Sequence, residues 1–225
     1  MTETDIAQRK RKRAPSKRSL ETRARILDAA ERLFAQGGFD GASMRDIAVA
    51  ADVPVALVSF HGGAKETLFE TVVARRAETL ARHRLDALEA ARADRGALDL
   101  RSVLNCFISP YLHLAATGGA QWTAYARLIA HVSADERWRP ISERCFDPTV
   151  AVFVAELAGQ LPKADTRRIA GAFVFSISAM LSLATSRWRI EAMAGGQSSA
   201  ASGLDDWTDF LIDFCEGGFR SALAG

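Results

Sequence analysis

Apolar residues recur along most of the chain at the three- and four-residue spacing of amphipathic helices, and no run alternates apolar and polar residues as a half-buried strand would. The first such segment is capped by Thr22 and ends at about Gln36, where Gly37 and Gly38 supply a helix stop. Its apolar face consists of Ile26, Leu27, Ala30, Leu33 and Phe34. The pattern predicts an all-α protein.

Two short helices are predicted next, separated by a tight break. The first begins at Ser43, because Ser43-Met44-Arg45-Asp46 has the form of a capping box with aspartate in place of glutamate. Pro54 follows it, and a second short helix covers about residues 55–61. Two short helices across a tight break, packed on a longer first helix, are typical of a helix-turn-helix.

The rest of the chain is predicted to be helical as well. A long amphipathic segment runs from about residue 64 to 92. Further helices are expected over about residues 98–116, 121–133, 140–161, 165–194 and 204–222, with a kink or break at Pro148 and a loop over residues 195–203. The apolar stretch 169–184 is shorter than the roughly 20 residues of a membrane span, so we expect a buried helix and no membrane partner.

Charge adds one feature to this picture. The chain has 225 residues, of which 48% are hydrophobic and 25% charged, an ordinary globular composition. Its net charge of +2 is uneven: residues 1–25 carry +6 and the remaining 200 residues carry −4. This distribution predicts a polyanionic partner at one end only. No long apolar stretch follows the basic arm, which therefore does not have the form of a secretory signal.

No catalytic or metal-binding pattern stands out. His61-Gly62-Gly63 has the form of an esterase oxyanion loop, but the Gly-x-Ser-x-Gly elbow that such an enzyme needs is absent from the sequence. The 4 histidines are far apart, and the 3 cysteines lack the spacing of metal ligands and suit reduced cytoplasmic thiols. We therefore expect no enzyme activity, no metal and no cofactor.

Residues 22–73 carry several motifs in order: ILDAAERLFAQGGF, a Ser-x-x-Asp-Ile-Ala helix start, and Lys65-Glu66 followed by Leu68 and Phe69. Over these residues the chain resembles the DNA-binding domain of the TetR family of transcriptional regulators. The resemblance implies an all-α fold with a basic disordered tail (1–19), a helix-turn-helix domain (20–66, the motif at about 43–62) and a ligand-binding and dimerisation domain (67–225).

The resemblance also implies a function. We expect a cytoplasmic homodimer that represses transcription from a palindromic, double-stranded DNA operator and is released by a small hydrophobic ligand. The alternative is a helical DNA-binding adaptor or DNA-organising protein without such a ligand. A closed apolar cavity between residues 98 and 185 would favour the first.

The positions that the resemblance turns towards DNA lie at the start of the first short helix, along the second, and just after it. Lys65 opens the following helix, whose free backbone amides suit a phosphate. Val55 and Leu57 can make only apolar contacts, whereas Val58 is expected in the core. The full set is Ser43, Met44, Arg45, Pro54, Val55, Ala56, Leu57, Ser59, Phe60, His61 and Lys65.

Three positions depart from the family pattern. Pro54 replaces a residue that often caps the recognition helix, Ser59 replaces a tyrosine that reaches phosphate, and Gly62 replaces a buried phenylalanine. We expect Asp52 to take over the cap, the junction after His61 to be softer, and the basic tail to compensate for fewer polar DNA contacts.

The second half is expected to form the dimer and the ligand cavity. By resemblance, the last two helices form a four-helix bundle with their copies, packing within one chain being the alternative. The interface residues expected are Ala172, Ser176, Met180, Trp207, Phe210, Leu211 and Phe214. The cavity residues expected are Phe107, Tyr111, Trp122, Tyr125, Arg127, Leu128, His131, Phe146 and Phe153, with Arg127 the candidate partner of an acidic group on the ligand.

Overall fold

The computed structural model describes residues 16–195 and 204–223, and every regular element in those ranges is a helix. The all-α fold with an N-terminal helix-turn-helix is confirmed. The elements are α1 (Lys17–Gly37), α2 (Met44–Ala50), α3 (Val55–Gly62), α4 (Lys65–Arg95), α5 (Leu100–Thr117), α6 (Gly119–Ser133), a 3₁₀ turn (Glu136–Trp138), α7 (Arg139–Cys145), α8 (Asp147–Gln160), α9 (Thr166–Met193) and α10 (Leu204–Leu223).

Helix α1 begins earlier than the sequence pattern predicted. Its cap is Ser16, whose side chain accepts a hydrogen bond from the Ser19 amide at 3.3 Å. Thr22, the expected cap, lies inside the helix and its hydroxyl donates to the Arg18 carbonyl at 2.9 Å. The polar residues before the apolar face extend the helix by more than a turn, because nothing between Ser16 and Thr22 breaks it.

The basic tail expected over residues 1–19 falls mainly on residues 1–15, which lie outside the described residues. Residues 16–19 belong to the start of α1, so the first helix already includes part of the segment assigned to the tail. Apart from Gly195, the loop predicted over residues 195–203 also lies outside the described residues.

The break predicted at Pro148 is confirmed. Phe146 leaves helical geometry, with φ −122° and ψ −43°, and separates α7 from α8. Pro148 lies in the first turn of α8, where its missing N–H leaves no hydrogen bond unmade.

A small apolar core holds the first three helices together. Ile26 and Phe34 of α1, Ile47 of α2 and Val58 of α3 are fully buried, and Leu68 from the start of α4 closes the cluster. The core position expected for Val58 is therefore confirmed.

We call the unit formed by α1, α2 and α3 (residues 17–62) the head. Helix α4 continues from the head into the rest of the protein. Its 31 residues span about 46 Å at the usual rise of an α-helix. It packs on α1 and α3 at one end and on α5 and α7 further along, while α1 also packs on α6. The rings of Phe39, Phe69 and Trp138 add an aromatic cluster across the junction, with centroids of Phe69 and Trp138 4.3 Å apart. The domain boundary expected at residue 66 thus lies within a continuous helix, which is the long helix predicted over about residues 64–92.

A buried ion pair lies where α1 and α4 meet. Glu31 of α1 is fully buried, and the Nε of Arg76 on α4 donates to both of its carboxylate oxygens, at 2.7 and 2.9 Å. The guanidinium lies 5.3 Å from the ring centroid of Trp122 on α6. Burial raises the pKa of Glu31, while the hydrogen bond and charge of Arg76 oppose that shift.

Helix α9 is longer than the apolar stretch 169–184 on which the sequence argument rested. It has 28 residues, and its most apolar 18-residue window has a mean hydropathy of 1.7 and is 33% buried. Within the described ranges it is the helix whose length and composition would suffice to cross a membrane. The helix predicted over about residues 165–194 is therefore confirmed. The same composition is typical of a core helix, and α9 packs on α5, α6, α8 and α10.

Replacing Arg76 by leucine should lower the free energy of unfolding by about 3 kcal/mol, because it leaves the Glu31 carboxylate buried without its partner. Urea unfolding followed by circular dichroism measures this loss. The matched control is Arg75→Leu, which removes an ion pair to Asp28 whose two side chains are each about a third exposed. That control should cost less than about 1 kcal/mol. Equal losses in the two variants would contradict a special role for the buried pair.

Candidate functional site

The turn between α2 and α3 depends on Asp52. Its φ of 52° is in the left-handed region, and among the described residues it is the one non-glycine with a positive φ. Its amide donates to the Val49 carbonyl at 3.1 Å, and the Val53 amide donates to the Ala48 carbonyl at 3.0 Å. These bonds satisfy the C-terminal carbonyls of α2 and fix where α3 starts.

Asp52 does not cap α3, contrary to the expectation from the sequence. No side chain caps this helix; Pro54 occupies the N-cap position, and its carbonyl accepts from the Leu57 amide at 2.9 Å. The physical reason is that Asp52 is used to reverse the chain, two residues before the N-cap. The first turn of α3 therefore has no side-chain bond to its amides.

The capping box predicted at the start of α2 is confirmed. The Asp46 amide donates to the Ser43 hydroxyl oxygen at 3.1 Å, and the Ser43 amide donates to the Asp46 carboxylate at 3.0 Å. The Ser43 hydroxyl also donates to that carboxylate at 2.6 Å, and these bonds lower the pKa of Asp46. Ser43 therefore already has a structural role in orienting α2.

The outer face of α3 is mostly apolar. Pro54, Val55, Ala56, Leu57, Ser59 and Phe60 are all exposed, and Phe60 most of all, at 78%. His61 is half-buried, with its ring edge-on to Phe60 at a centroid distance of 5.0 Å. Arg45 on α2 is exposed beside this face, whereas Met44 is half-buried. This arrangement presents a protruding helix with few polar groups.

Glycine is required where α3 meets α4. A Cβ at Gly62 would lie 2.9 Å from Cδ1 of Leu68, and Gly63 has a φ of +73°. Gly62 is buried, so the residue that departs from the family pattern allows α3 to lie close to α4. The softer junction expected from the sequence stays a prediction.

Lys65 is the first residue of α4 and follows His61, near the end of α3, by four positions in the sequence. Ala64 precedes it at the N-cap, with no side-chain bond to the helix amides. The Lys65 Nζ lies 4.3 Å from the ring centroid of Phe39, which holds the lysine near this helix terminus. Free amides, the positive end of the helix dipole and an ammonium group together suit a phosphate.

A second candidate site is a cavity of about 310 Å³ in the body of the protein. Helices α4 to α9 all contribute to its lining. Phe107, Tyr111 and Phe146 lie in its wall, as expected from the sequence, and Leu80, Arg84 and Met180 join them. Most of the other residues lining this volume are apolar or small and polar, an arrangement typical of a small-molecule site.

Six of the residues expected around this cavity lie elsewhere. Tyr125, Leu128 and Phe153 are buried in the surrounding core, and the Tyr125 hydroxyl donates to the Val73 carbonyl at 3.0 Å. Trp122 packs near Arg76. Arg127 and His131 are exposed, because α6 turns Leu128, Ile129 and Val132 inward and carries those two polar residues on its opposite face. The arginine of the cavity is therefore Arg84 and not Arg127.

Arg84 was missed by the sequence argument, although the sequence holds a signal for it. It stands at helical spacing between Leu80 and Leu88 on the buried face of α4, where an apolar residue is expected. Its Nε donates to the Phe107 carbonyl at 2.9 Å, and its guanidinium carbon lies 3.6 Å from the Phe107 ring centroid. Burial lowers the pKa of Arg84 to about 9, so the group is still a cation at neutral pH.

Family models match both the N-terminal and the C-terminal parts of this chain. Residues 26–72 match the family model described as bacterial regulatory proteins, tetR family, and residues 105–218, about half of the chain, match the tetracyclin repressor-like C-terminal domain. This chain belongs to the TetR family. It is a DNA-binding transcriptional regulator, and the adaptor alternative finds no support in these comparisons.

The sequences of related regulators align with this TetR chain over most of their length. The HTH-type transcriptional regulator BetI of Burkholderia thailandensis is 26% identical over 197 residues, which cover 84% of this chain and 93% of BetI. BetI of Burkholderia ambifaria is 26% identical over 199 residues, with the same coverage. The curated relatives are thus regulators of transcription.

Solved structures share the fold. The fatty acid degradation regulator FadR from Bacillus halodurans superposes with a TM-score of 0.61 at 16% identity, covering 88% of this chain and 96% of FadR. The hemolysin II transcriptional regulator HlyIIR has a TM-score of 0.57 at 18% identity, covering 87% of this chain and 97% of HlyIIR. At these identities the likeness concerns the fold alone.

In this TetR chain, α9 and α10 leave a large apolar surface uncovered. Phe175 is 75% and Phe214 67% exposed, and Phe210, one turn before Phe214 on α10, is exposed as well. A groove of about 470 Å³ runs between the two helices, floored in part by Gly171 and Gly218. We call the surface formed by these three side chains and this groove the α9–α10 surface.

The interface residues expected from the sequence divide between this surface and the core. Phe210 and Phe214 are on the surface, and Ala172 and Trp207 are half-buried at its edge. Met180 and Leu211 instead face inward, a correction to the expectation, whereas Ser176 is buried but lines the groove. The reason is that α9 is apolar on both faces, so its sequence does not reveal which face is outside. Phe175 was missed for the same reason.

Replacing Ser43 by alanine should lower the free energy of unfolding by about 1 kcal/mol, because the capping box of α2 loses its hydroxyl. The control is Ser59→Ala on the exposed face of α3, which should change it by less than about 0.5 kcal/mol. Urea unfolding distinguishes the two, and a neutral Ser43→Ala would show that the box contributes nothing.

The capping box also has a pH signature. Because the pKa of Asp46 is lowered from its ordinary 3.8 in the folded protein, its stabilisation is present above pH 3.8 and is lost as the pH falls through the lowered value. The stability difference between wild type and Ser43→Ala should therefore shrink as unfolding is measured at progressively lower pH in that window.

Proposed function

We propose that this protein is a homodimeric repressor that binds a palindromic operator through α2, α3 and the start of α4, and that a small, largely apolar ligand in the cavity of α4 to α9 releases it. The observation that carries this proposal is that α4 belongs to both sites: its first turns close the core under α3, and its middle lines the cavity. Such a regulator acts where the chromosome is, which for a bacterial protein is the cytoplasm.

For DNA recognition, α3 is the element that fits the major groove, because it protrudes and is short. Val55, Leu57 and Phe60 offer contacts to thymine methyl groups, and Ser59 and His61 offer hydrogen bonds to phosphate or base. Pro54 and Ala56 allow the backbone to approach closely. Two further contacts flank this helix. The start of α2 brings Ser43, Met44 and Arg45 to the duplex, and Lys65 binds a phosphate at the N-terminus of α4.

Dimer formation follows from the α9–α10 surface. Two helix-turn-helix heads can occupy adjacent half-sites of a palindrome only when a two-fold axis relates them. Exposed Phe175, Phe210 and Phe214 supply the apolar area that an obligate interface needs, and the groove beside Gly171 and Gly218 has room for a partner's side chains. Packing of this surface against its own copy forms the four-helix bundle expected from the family.

The switch operates through α4. The Glu31–Arg76 pair holds this helix to α1, so a displacement of α4 at the cavity carries the whole head with it. The ligand acts only by binding more tightly to the form whose two heads do not match the operator spacing. A cavity of about 310 Å³ favours this mechanism over a DNA-organising protein with a solid second domain.

The test of DNA binding uses a duplex enriched by the protein from a random-sequence pool, with affinity measured by fluorescence anisotropy at several salt concentrations. Lys65→Ala should weaken binding and reduce the slope of log K against log salt by about 2, since a homodimer loses one phosphate contact per protomer. The control is Lys163→Ala, which removes an exposed lysine between α8 and α9 and should leave the slope unchanged. Deletion of residues 1–15, which stops before the Ser16 cap, measures the share of the basic tail. Failure to enrich any duplex would refute the proposal.

The dimer is tested by placing a charge on the α9–α10 surface. Phe214→Asp should convert the dimer to monomer at micromolar concentration and weaken operator binding, because an interfacial carboxylate would be buried without a partner. Sedimentation equilibrium gives the mass. Val152→Asp on α8, also an exposed apolar position, is the matched control and should remain dimeric. A monomeric wild type would rule out this interface.

A further inference from the structure

The cavity contains a buried cation, Arg84, that forms no ion pair with any residue the structure describes. Arg84 is only 6% exposed and lines the cavity. In the parts of the chain that the structure describes, no carboxylate forms an ion pair with it; its neighbours are the Phe107 carbonyl, the Phe107 ring and the Met180 sulfur, at 3.7 Å from Nη2. A buried charge without an opposite charge is unusual, because desolvation opposes it.

The partners of Arg84 leave part of the guanidinium unused. Nε is bonded to a carbonyl and Nη2 has only a weak sulfur acceptor, while no described residue accepts a hydrogen bond from Nη1. Guanidinium presents its N–H groups as a planar fork that matches the two oxygens of a carboxylate. The geometry therefore leaves N–H donors on the cavity wall for an acceptor that the described residues do not supply.

The rest of the wall limits the kind of anion. Apolar side chains such as Tyr111, Phe146, Ile177 and Leu181 form much of it, so the body of the ligand is apolar. Arg84 is the one cationic residue among the described lining residues, which suits a single negative charge. Asp147, an exposed residue at the start of α8, also reaches the wall and disfavours a second negative charge.

We propose that the ligand of this cavity is an apolar monocarboxylate whose carboxylate pairs with Arg84. This inference rests on the proposed function, since it names the chemical class of the effector for the same cavity. An amine would be repelled by Arg84, and a neutral molecule would leave the guanidinium without a counter-charge. At about 310 Å³, the volume corresponds to the small end of ligand sites, so compact acids fit better than extended ones.

An ion pair between the ligand carboxylate and Arg84 would also act on α4, the helix that carries the proposed switch. Arg84 lies eight residues beyond Arg76 on α4, about 12 Å along the helix axis. A carboxylate that draws the guanidinium away from the Phe107 carbonyl would change the contact between α4 and α5 at that point. The ion pair at Arg76 would carry the resulting shift to α1 and the DNA-binding head.

The test compares molecules that differ only in charge. Binding of octanoate, octan-1-ol and octylamine, and of 2-naphthoate and 2-naphthylmethanol, is measured on the full chain by isothermal titration calorimetry. At least one carboxylate should bind at least tenfold more tightly than its alcohol, and the amine should bind least. If neither carboxylate exceeds its alcohol in affinity, the proposal is overturned.

Variants locate the preference. Arg84→Gln should abolish the tenfold preference for the acid, whereas Arg127→Gln, which changes an exposed arginine of α6, should keep it. A preference that survives in Arg84→Gln overturns the assignment. Should Arg84→Gln fail to fold by circular dichroism, Arg84→Lys retains a charge without the fork and should lower the preference without removing it; an unchanged preference there counts against the proposal.

Operator binding separates this inference from the proposed function. A carboxylate that binds through Arg84 and releases the enriched duplex supports both. Binding through Arg84 without any change in DNA affinity supports the ligand class and refutes the ligand-controlled switch. Release of the duplex by the alcohols or the amine, but not by the acids, refutes the ligand class and leaves the switch intact.

Discussion

The ion pair between Glu31 and Arg76, in which one Nε donates to both carboxylate oxygens, is the constraint on which the arrangement of the two sites depends. It joins the buried Glu31 of α1 to the partly buried Arg76 of α4, next to Trp122 of α6, so three helices meet at one charged contact. Buried pairs of this kind contribute orientation more reliably than stability, because their desolvation offsets much of their attraction. Here the orientation matters, because the pair fixes α4 against α1 a short distance before Leu80 and Arg84, the residues of the same helix that line the cavity.

Helix positions were predictable from the sequence because a helix with one buried face has apolar residues at every third or fourth position, and this spacing can be recognised in the sequence. The capping box at Ser43, the break at Pro148 and the buried Val58 all follow from local rules that tertiary structure did not override. The early start of α1 at Ser16 was missed because apolar periodicity marks the packed part of a helix and not its solvated first turn. Asp52 was assigned to a cap because its side chain suits one, whereas its backbone is needed in the left-handed conformation that closes the turn.

The candidate sites were less predictable than the fold. Family resemblance assigns DNA-facing positions to two short helices of fixed geometry, and the structure places most of those positions on an exposed face; their contacts with DNA stay a prediction. It does not transfer a cavity, whose lining depends on how helices of different lengths are rotated. Arg127 and His131 lie near aromatic residues in the sequence but on the outer face of α6, while Arg84 is far from them in sequence and inside. For α9, apolar residues all round leave the outward face undetermined until its neighbours are known.

The exposed aromatic tip of α3 has a thermodynamic consequence. Most regulators hold DNA chiefly through ionic contacts, whereas the outer face of this helix is formed by Val55, Leu57 and Phe60, with Phe60 78% exposed. Covering such side chains with base edges removes apolar surface from water, which gives association a negative heat-capacity change. The apolar part of the attraction weakens on cooling. The affinity of this protein for DNA is therefore expected to depend on temperature as well as on salt, and to fall on cooling.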